Sequence, residues 1–267
     1  MIARLWPVAL AGIVWALSTS PALAALADQI GNTFALMADD VVTAFQPLEA
    51  LVIQVDGDVL YLDVGGSAAQ IGQEFMIFRK GEVFRHPLTD KPLGRYEAVL
   101  GHAQIRRVQP QFSEAVFIPL PDKPRPLPED GARITRGRIK VAVTPVLDMT
   151  NSQADFRRVP YMFATILDRS KRFQVVDPLT VSDMLATASV RVEEVLARPD
   201  RAGRAARSLE VAGWLVPILL ERRGVTYLDV TWISAITGRA LFSRRMTLLP
   251  ASAAEAQRFP WEPRGED

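Results

Sequence analysis

Residues 59–79 have the sequence VLYLDVGGSAAQIGQEFMIFR, in which two apolar runs flank a turn rich in glycine. A strand followed by closely spaced glycines can cradle a phosphate, so this stretch decides between a nucleotide-binding fold and an all-β fold. A phosphate loop needs a lysine directly after its last glycine, but Gly72 is followed by Gln73 and Glu74. The next residues also favour a strand. The stretch therefore predicts two strands joined by a turn, in which Gly65 and Gly72 supply backbone freedom.

The same strand pattern extends over residues 47–118. An Asp-Gly pair at Asp56 and Gly57 separates two apolar runs, which predicts a tight hairpin because glycine adopts the positive φ of such turns. Further apolar runs follow up to residue 118, and Gly94 is assigned to another structural turn. Five or six short strands in this stretch predict a small closed or half-open β-barrel.

A proline-rich linker is predicted over residues 119–137. Its first part, PLPDKPRPLPEDGA, has five prolines, which fix φ and remove backbone donors. Residues 138–249 alternate apolar strand-like runs with helical patterns, so they predict a mixed α/β domain. Residues 250–267 predict a loose polar tail. The predicted fold class is α+β, with a small barrel domain followed by an α/β domain.

The N-terminus resembles an export signal. Arg4 precedes a long apolar run, and Ala22 and Ala24 are the small residues that a signal peptidase requires. We predict a signal peptide over residues 1–24, cleaved after Ala24, with Ala27 as the alternative position. An uncleaved membrane anchor is the other interpretation of this segment. The next residues, 25–46, have apolar groups at near-helical spacing and predict a short amphipathic helix.

The composition is that of a soluble, exported globular protein. The chain has no cysteine, which excludes disulfides, thiol catalysis and thiolate metal sites. Without Arg4, 30 basic residues balance 30 acidic ones, so nucleic acid is not an expected partner. Charge is uneven along the chain, because residues 25–132 have 9 basic and 15 acidic groups. We predict a periplasmic location.

No residue pattern indicates chemistry. His86 and His102 are the two histidines, with Asp90 between them, and their spacing matches no recognised metal motif. We therefore predict no catalytic residue, no cofactor and no metal. Arg201, Arg204 and Arg207 recur every three residues on one predicted helix face. This face is either a partner-binding surface for an acidic protein or lipid, or a solvated helix face.

One segment resembles a known family. Residues 57–117 are similar to the C-terminal SH3-like domain of flagellar assembly protein T, in which a strand ending in Asp-x-Gly is followed by a glycine-spaced turn, G-x-x-F and a basic residue. The pattern continues with a Pro-x-Thr loop, Leu-Gly and Ser-x-Ala. The matching residues are Asp63, Gly65, Gly72, Phe75, Arg79, Pro87, Thr89, Leu93, Gly94, Ser113 and Ala115. Ala68 or Ala69 replaces a glycine that the family often has in the turn.

The second half of the chain has a looser resemblance. Residues 139–248 are similar to the TolB-N-like α/β domain found in flagellar assembly protein T and in the curli-secretion protein. The order of the two domains is reversed relative to the flagellar protein. The lipoprotein cysteine and the membrane-spanning insertions of a curli channel are absent from the sequence, which argues against a secretion pore.

The resemblance implies an envelope protein that assembles machinery and performs no catalysis. We expect an exported assembly or scaffold protein, associated with a flagellar basal body or another outer-membrane assembly. Its partners would be envelope or flagellar proteins, with peripheral contact to the outer membrane or peptidoglycan, and an oligomeric ring is one arrangement. Two alternatives stay open: a periplasmic enzyme or small-ligand carrier using the α/β domain, and a curli-type secretion accessory protein.

Overall fold

The structure, a computed structural model, describes residues 21–249 apart from residues 151 and 153. It contains two β-sheets, one closed into a barrel and one open. Helices pack only against the open sheet among the described residues. The predicted mixture of helix and strand is therefore confirmed. Most of the predicted signal peptide, and the whole predicted tail, lie outside the described residues.

Six strands form the barrel. They are β1 (Leu48–Asp56), β2 (Val59–Leu62), β3 (Glu74–Arg85), β4 (Pro92–Val108), β5 (Ser113–Pro119) and β6 (Gly131–Ile134). The closed order is β1-β2-β5-β4-β3-β6, and every neighbouring pair is antiparallel. Successive side chains of a strand point to opposite faces, so every second one fills the interior, as Phe75 and Ile77 do. The SH3-like subtype of this barrel stays a prediction.

The structure differs from the predicted linker at β6. This strand lies within residues 119–137 and closes the barrel by pairing with β1 on one side and β3 on the other. Its short sequence, GARI, begins three residues after Pro128 and has no long apolar run, so no periodic pattern indicates a strand there. Only the residues on either side of β6 act as connections.

The open sheet has six strands. They are β7 (Ile139–Val143), β8 (Leu147–Asp148), β9 (Phe173–Val175), β10 (Gly213–Arg222), β11 (Val225–Ser234) and β12 (Ala240–Thr247). The order is β12-β11-β10-β7-β9, and β8 pairs with β10 beyond the end of β7. Strands β9, β7 and β10 are parallel, whereas β10, β11 and β12 form an antiparallel meander.

Five helices cover both faces of this sheet. They are α1 (Pro21–Ala44), α2 (Val159–Arg169), α3 (Pro178–Thr187), α4 (Val192–Ala197) and α5 (Pro199–Leu209). Helices α1 and α2 share one core with the sheet, and α3, α4 and α5 share another on the opposite face. Phe34 of α1 stacks on Phe163 of α2 with ring centroids 3.7 Å apart. None of the described helices has the length and apolar character needed to span a bilayer.

The barrel is an insertion in the α/β unit. Helix α1 precedes the barrel in sequence, but its apolar face, including Ile30 and Met37, is fully buried against the open sheet. The predicted order, a barrel followed by an α/β domain, therefore omits the first element of the α/β unit. Ala27 is also buried in this core, with Leu26 packed beside it. Cleavage after Ala24, with Ala27 as the alternative, stays a prediction.

Candidate interaction site

The most exposed apolar feature is a hairpin that extends beyond the barrel. Strand β3 pairs with β6 only at Met76–Phe78, and β4 pairs with β5 only from Gly101 onward. The pairing of β3 with β4 continues outward as far as Arg85 and Pro92. Residues 80–97 thus form a two-stranded ribbon, which we call the arm. A two-stranded hairpin is marginally stable in water by itself, so an arm of this kind gains from a surface to pack on.

Five large apolar side chains are exposed on the arm, and we call them the apolar tip. Leu88 in the connecting turn has 89% of its surface exposed. The ring of Phe84 meets the ring of Tyr96 edge to face, with centroids 6.3 Å apart. The members of the apolar tip are Val83, Phe84, Leu88, Leu93 and Tyr96. Several large apolar side chains exposed together on one ribbon are typical of an interaction site.

The turn that carries Leu88 has a defined conformation. The Nδ1 atom of His86 accepts hydrogen bonds from the backbone N–H groups of Leu88 and Thr89, at 3.2 and 3.3 Å. The backbone N–H of Asp90 donates to the carbonyl oxygen of His86 at 2.9 Å, and Arg85 donates to the carbonyl of Asp90 at 3.0 Å. These bonds fix the turn with Leu88 pointing outward.

Basic side chains surround the apolar tip. Arg85 pairs with Asp90 at 3.4 Å in an exposed position. Lys91 and Arg95 are exposed and make no ion pair with any residue that the structure describes. Residues 84–96 contain three basic groups and one acidic group, whereas the rest of residues 25–132 contains six basic and fourteen acidic groups. The outer part of the arm, residues 84–96, is therefore positive, whereas the whole arm, residues 80–97, has four basic and three acidic groups.

A second set of contacts, which we call the seam, joins the barrel to the α/β unit. The chain passes between the two units twice, before β1 and after β6. Arg172, directly before β9, is buried and donates to one carbonyl of the first crossing, that of Phe45, at 2.5 Å. It also donates to two carbonyls of the second crossing, those of Gly137 and Thr135, at 2.6 and 2.7 Å. One guanidinium thus holds both crossings, and desolvation by burial lowers its pKa.

The glycine-rich turn at residues 65–72 also lies in the seam. Gly72 has φ +93°, and a Cβ there would lie 2.2 Å from the carbonyl oxygen of Leu241 in β12. Gly65 does not have a positive φ, but a Cβ there would lie 2.3 Å from the carbonyl oxygen of Pro110. Gly94 lies inside β4, opposite Phe84 and next to a bulge, and not in a turn. Gly65 and Gly72 therefore allow close backbone contact, whereas nothing lies within 4 Å of the position of a Cβ at Gly94.

Two titratable groups of the barrel line a crevice of about 190 Å³ in the seam. Desolvation raises the pKa of Glu74 above its ordinary value of 4.5, and hydrogen bonds from Ser234 and Thr237 oppose that shift. The Ser234 hydroxyl donates to a Glu74 carboxylate oxygen at 3.0 Å. Desolvation lowers the pKa of His102 below 6.5. The crevice is smaller than typical small-molecule sites, and Glu74 is already bound by the opposite unit.

Glu74 gives the seam a pH dependence. Because its pKa is raised on folding, its contribution favours the folded state below pH 4.5 and is lost as the pH rises through the raised pKa. We expect Glu74→Gln to increase the free energy of unfolding at pH 7 relative to the parent chain, and we expect this gain to shrink as the pH falls through the raised pKa towards 4.5 and to stay constant below it. Urea unfolding across this pH range checks it. A variant that is less stable by the same amount at every pH would contradict it.

The predicted arginine face lies on α5. Arg201 is partly buried and pairs with Glu194 of α4 at 2.9 Å, so this arginine joins two helices. Arg204 and Arg207 are exposed on the same helix. The three predicted arginines therefore differ in environment, because Arg201 is held in an ion pair between two helices and the other two are exposed. A partner-binding role for this face stays a prediction.

An apolar groove of about 370 Å³ lies where β7 and β9 end and α2 and α3 begin. Ligands of α/β folds often bind at the carboxyl ends of parallel strands. The lining is mainly proline, aromatic and aliphatic, and its charged group, Arg157, pairs with Asp155 at 2.6 Å. Among the described lining residues no acid and base converge, and a small-ligand carrier stays an alternative prediction.

The two histidines do not form one site. His86 lies in the turn of the arm, and His102 lies on β4 at the seam, next to Met76 of β3. Within residues 21–249, apart from 151 and 153, no three metal-ligating side chains of histidine, cysteine or carboxylate type come together. Sequence reasoning did not identify the arm or Arg172. The signal for the arm in the sequence is the occurrence of apolar and basic residues together around the polar segment HPLTDKP.

No protein-family model and no curated protein matches the chain. Among solved structures, the LpoB C-terminal domain from Escherichia coli is similar with 15% identity and a TM-score of 0.36, covering 43% of this chain and 85% of that domain. Lipoprotein GNA1162 from Neisseria meningitidis has 15% identity and a TM-score of 0.35, covering 41% and 79%. A PelC dodecamer from Paraburkholderia phytofirmans has 20% identity and a TM-score of 0.29, covering 46% and 81%. Values this low carry no argument about function.

Proposed function

We propose that this chain is an exported, non-enzymatic scaffold protein of the cell envelope, which docks on another envelope component through the arm. The observation that carries the proposal is the apolar tip, where five large apolar side chains, 38–89% exposed, stand on a ribbon that extends beyond the barrel. The export pattern of residues 1–24 supports a periplasmic location.

The hydrogen bonds at the seam favour the role of a scaffold over that of a simple tether. Arg172 and the Glu74–Ser234 hydrogen bond fix the barrel against the open sheet. A docked arm would therefore hold the α/β unit in one orientation. Within the described residues β12 is an edge strand whose first residues contact the barrel at the seam, and an extended segment of a partner can add to the rest of such an edge through backbone hydrogen bonds.

The proposal is tested by removing the apolar tip. We expect Phe84→Ser with Leu88→Ser to shift the full chain from the envelope pellet to the soluble periplasmic fraction of cells, lowering the retained share by on the order of tenfold or more. The reason is that each removed side chain contributes about 1.5–3 kcal/mol when buried. Fractionation followed by immunoblotting measures the share.

A matched control replaces two apolar side chains that are exposed elsewhere. Leu127→Ser with Val225→Ser removes side chains that are 56% and 41% exposed, far from the arm in sequence, and this variant should stay with the envelope. Circular dichroism verifies that both variants fold. If the parent chain is a free periplasmic monomer in wild-type cells, the proposal is wrong.

The narrower form of the proposal places the protein at a flagellar basal body. It rests on the sequence resemblance of residues 57–117 to an SH3-like domain and of residues 139–248 to a TolB-N-like domain. A deletion strain should then lose swimming on soft agar and regain it with the parent chain but not with the tip variant. Normal motility in the deletion strain would exclude this narrower form and leave the scaffold proposal in place.

A further inference from the structure

We propose that the surface on which the arm docks is an anionic phospholipid bilayer, with the apolar tip inserted among the acyl chains and the basic side chains at the level of the phosphates. This inference rests on the proposed function, because it names the partner of the same site. Three properties of the arm favour lipid over a protein groove: the distribution of its apolar groups, its charge and its reach from the barrel.

Apolar groups point away from the arm in several directions. Val83 and Phe84 are successive residues of β3, so their side chains point to opposite faces of the ribbon, and both are exposed. Leu88 stands at the end of the ribbon and is the most exposed large apolar side chain described. A flat protein surface would cover one face of such a ribbon, whereas a bilayer surrounds it.

The polar groups of the tip match the interfacial region of a bilayer. Tyr96 contacts Phe84 and carries a hydroxyl, and tyrosine places such a ring at the headgroup level. Arg85, Lys91 and Arg95 are exposed around the tip, and each basic residue near an anionic membrane contributes about 1 kcal/mol. Lys and Arg also extend their charged ends to phosphates while their stems stay among apolar groups.

The charge and the length of the arm determine which part of the barrel can approach a membrane. Residues 84–96 have an excess of two basic groups, while the rest of the barrel, residues 47–83 and 97–134, has an excess of four acidic ones. An anionic membrane therefore attracts the arm and repels the body of the barrel. Each strand residue spans about 3.3 Å, so the part of β3 beyond the barrel places the tip roughly 20 Å out. This is about two Debye lengths at physiological salt.

The test uses the purified mature chain and vesicles of defined composition. We expect the chain to float with vesicles of phosphatidylglycerol and phosphatidylcholine in equal parts, and to float weakly with phosphatidylcholine alone. Phe84→Ser with Leu88→Ser should weaken binding by on the order of tenfold or more at every salt concentration. Replacing Arg85, Lys91 and Arg95 by Gln should weaken it by about fivefold per residue, and only on anionic vesicles.

A second measurement locates the contact. The chain has no cysteine, so Leu88→Cys offers a single attachment point for an environment-sensitive fluorophore. Its emission should increase and shift to the blue when anionic vesicles are added, whereas the same label at Leu127→Cys should not respond. The α5 variant Arg204→Gln with Arg207→Gln should bind vesicles like the parent chain.

The outcomes separate the inference from the proposed function. If the parent chain ignores vesicles but still needs its tip for envelope retention, the partner is a protein and the lipid inference is overturned. If vesicle binding survives loss of the tip and is lost in the α5 variant, the lipid site lies on the helix and the inference is again overturned. If the chain shows no envelope retention at all, the proposed function itself fails.

Discussion

Arg172→Met should lower the free energy of unfolding by about 3–5 kcal/mol, because three backbone carbonyls lose a charged donor at once. Those carbonyls belong to Phe45, Thr135 and Gly137, on the two crossings between the barrel and the α/β unit. Methionine keeps the apolar stem and the volume, so the loss reports the hydrogen bonds. Urea unfolding followed by circular dichroism measures it, and limited proteolysis should show new cleavage at the two crossings.

Two companion variants make this prediction specific. Arg172→Lys keeps the charge but presents it as a point, which cannot reach three separate carbonyls, so we expect an intermediate loss. Arg138→Met is the matched control, because Arg138 bonds the Phe173 carbonyl and Asp168 within the α/β unit and its side chain is half exposed. Its loss should stay near 1 kcal/mol. Equal losses in Arg138→Met and Arg172→Met would contradict a special role for Arg172 at the seam.

Gly72→Ala should destabilise the protein by about 2–5 kcal/mol. Two costs add at this position: the backbone has φ +93°, and the new Cβ would lie 2.2 Å from the Leu241 carbonyl oxygen. That oxygen belongs to the backbone of β12, so it cannot move without shifting the open sheet away from the barrel. Thermal unfolding of the variant measures the combined cost.

Gly57→Ala separates the two costs. Gly57 also has a positive φ, of +58°, but nothing lies within 4 Å of the position of its Cβ. We expect this variant to lose only about 1–2 kcal/mol, from the left-handed backbone alone. The excess loss in Gly72→Ala then measures contact across the seam. If the two variants lose the same amount, Gly72 has no role at the seam and acts only through its φ.

The strands of the barrel could be predicted because their signals are local. The Asp56–Gly57 hairpin and the turn around Gly72 depend on residues within a few positions of each other, and the structure has strands on both sides of each. The role of Gly72 could not be predicted in the same way. Leu241, whose carbonyl requires the glycine, is far away in sequence, and no local pattern refers to it.

The exposure of the side chains on the arm could not be predicted from the sequence. Leu88 lies in the polar segment HPLTDKP, which is typical of a loop, and Phe84 and Leu93 lie on either side of it, where single apolar residues give no signal of exposure. Only the pairing that continues past the barrel rim shows that these side chains stay uncovered. In the same way, the pattern of α1 predicted an amphipathic helix but not the sheet that it covers, because that sheet follows the inserted barrel in sequence.

The most direct test of the central claim, that the apolar tip is covered when the protein is in place, is thiol labelling in cells. Leu88→Cys and Leu127→Cys each place a single thiol in a chain that has none, at positions that are 89% and 56% exposed in the isolated molecule. With the outer membrane permeabilised, a hydrophilic maleimide should label Leu127→Cys readily and Leu88→Cys only after detergent is added. Equal labelling of both variants before detergent would contradict the account.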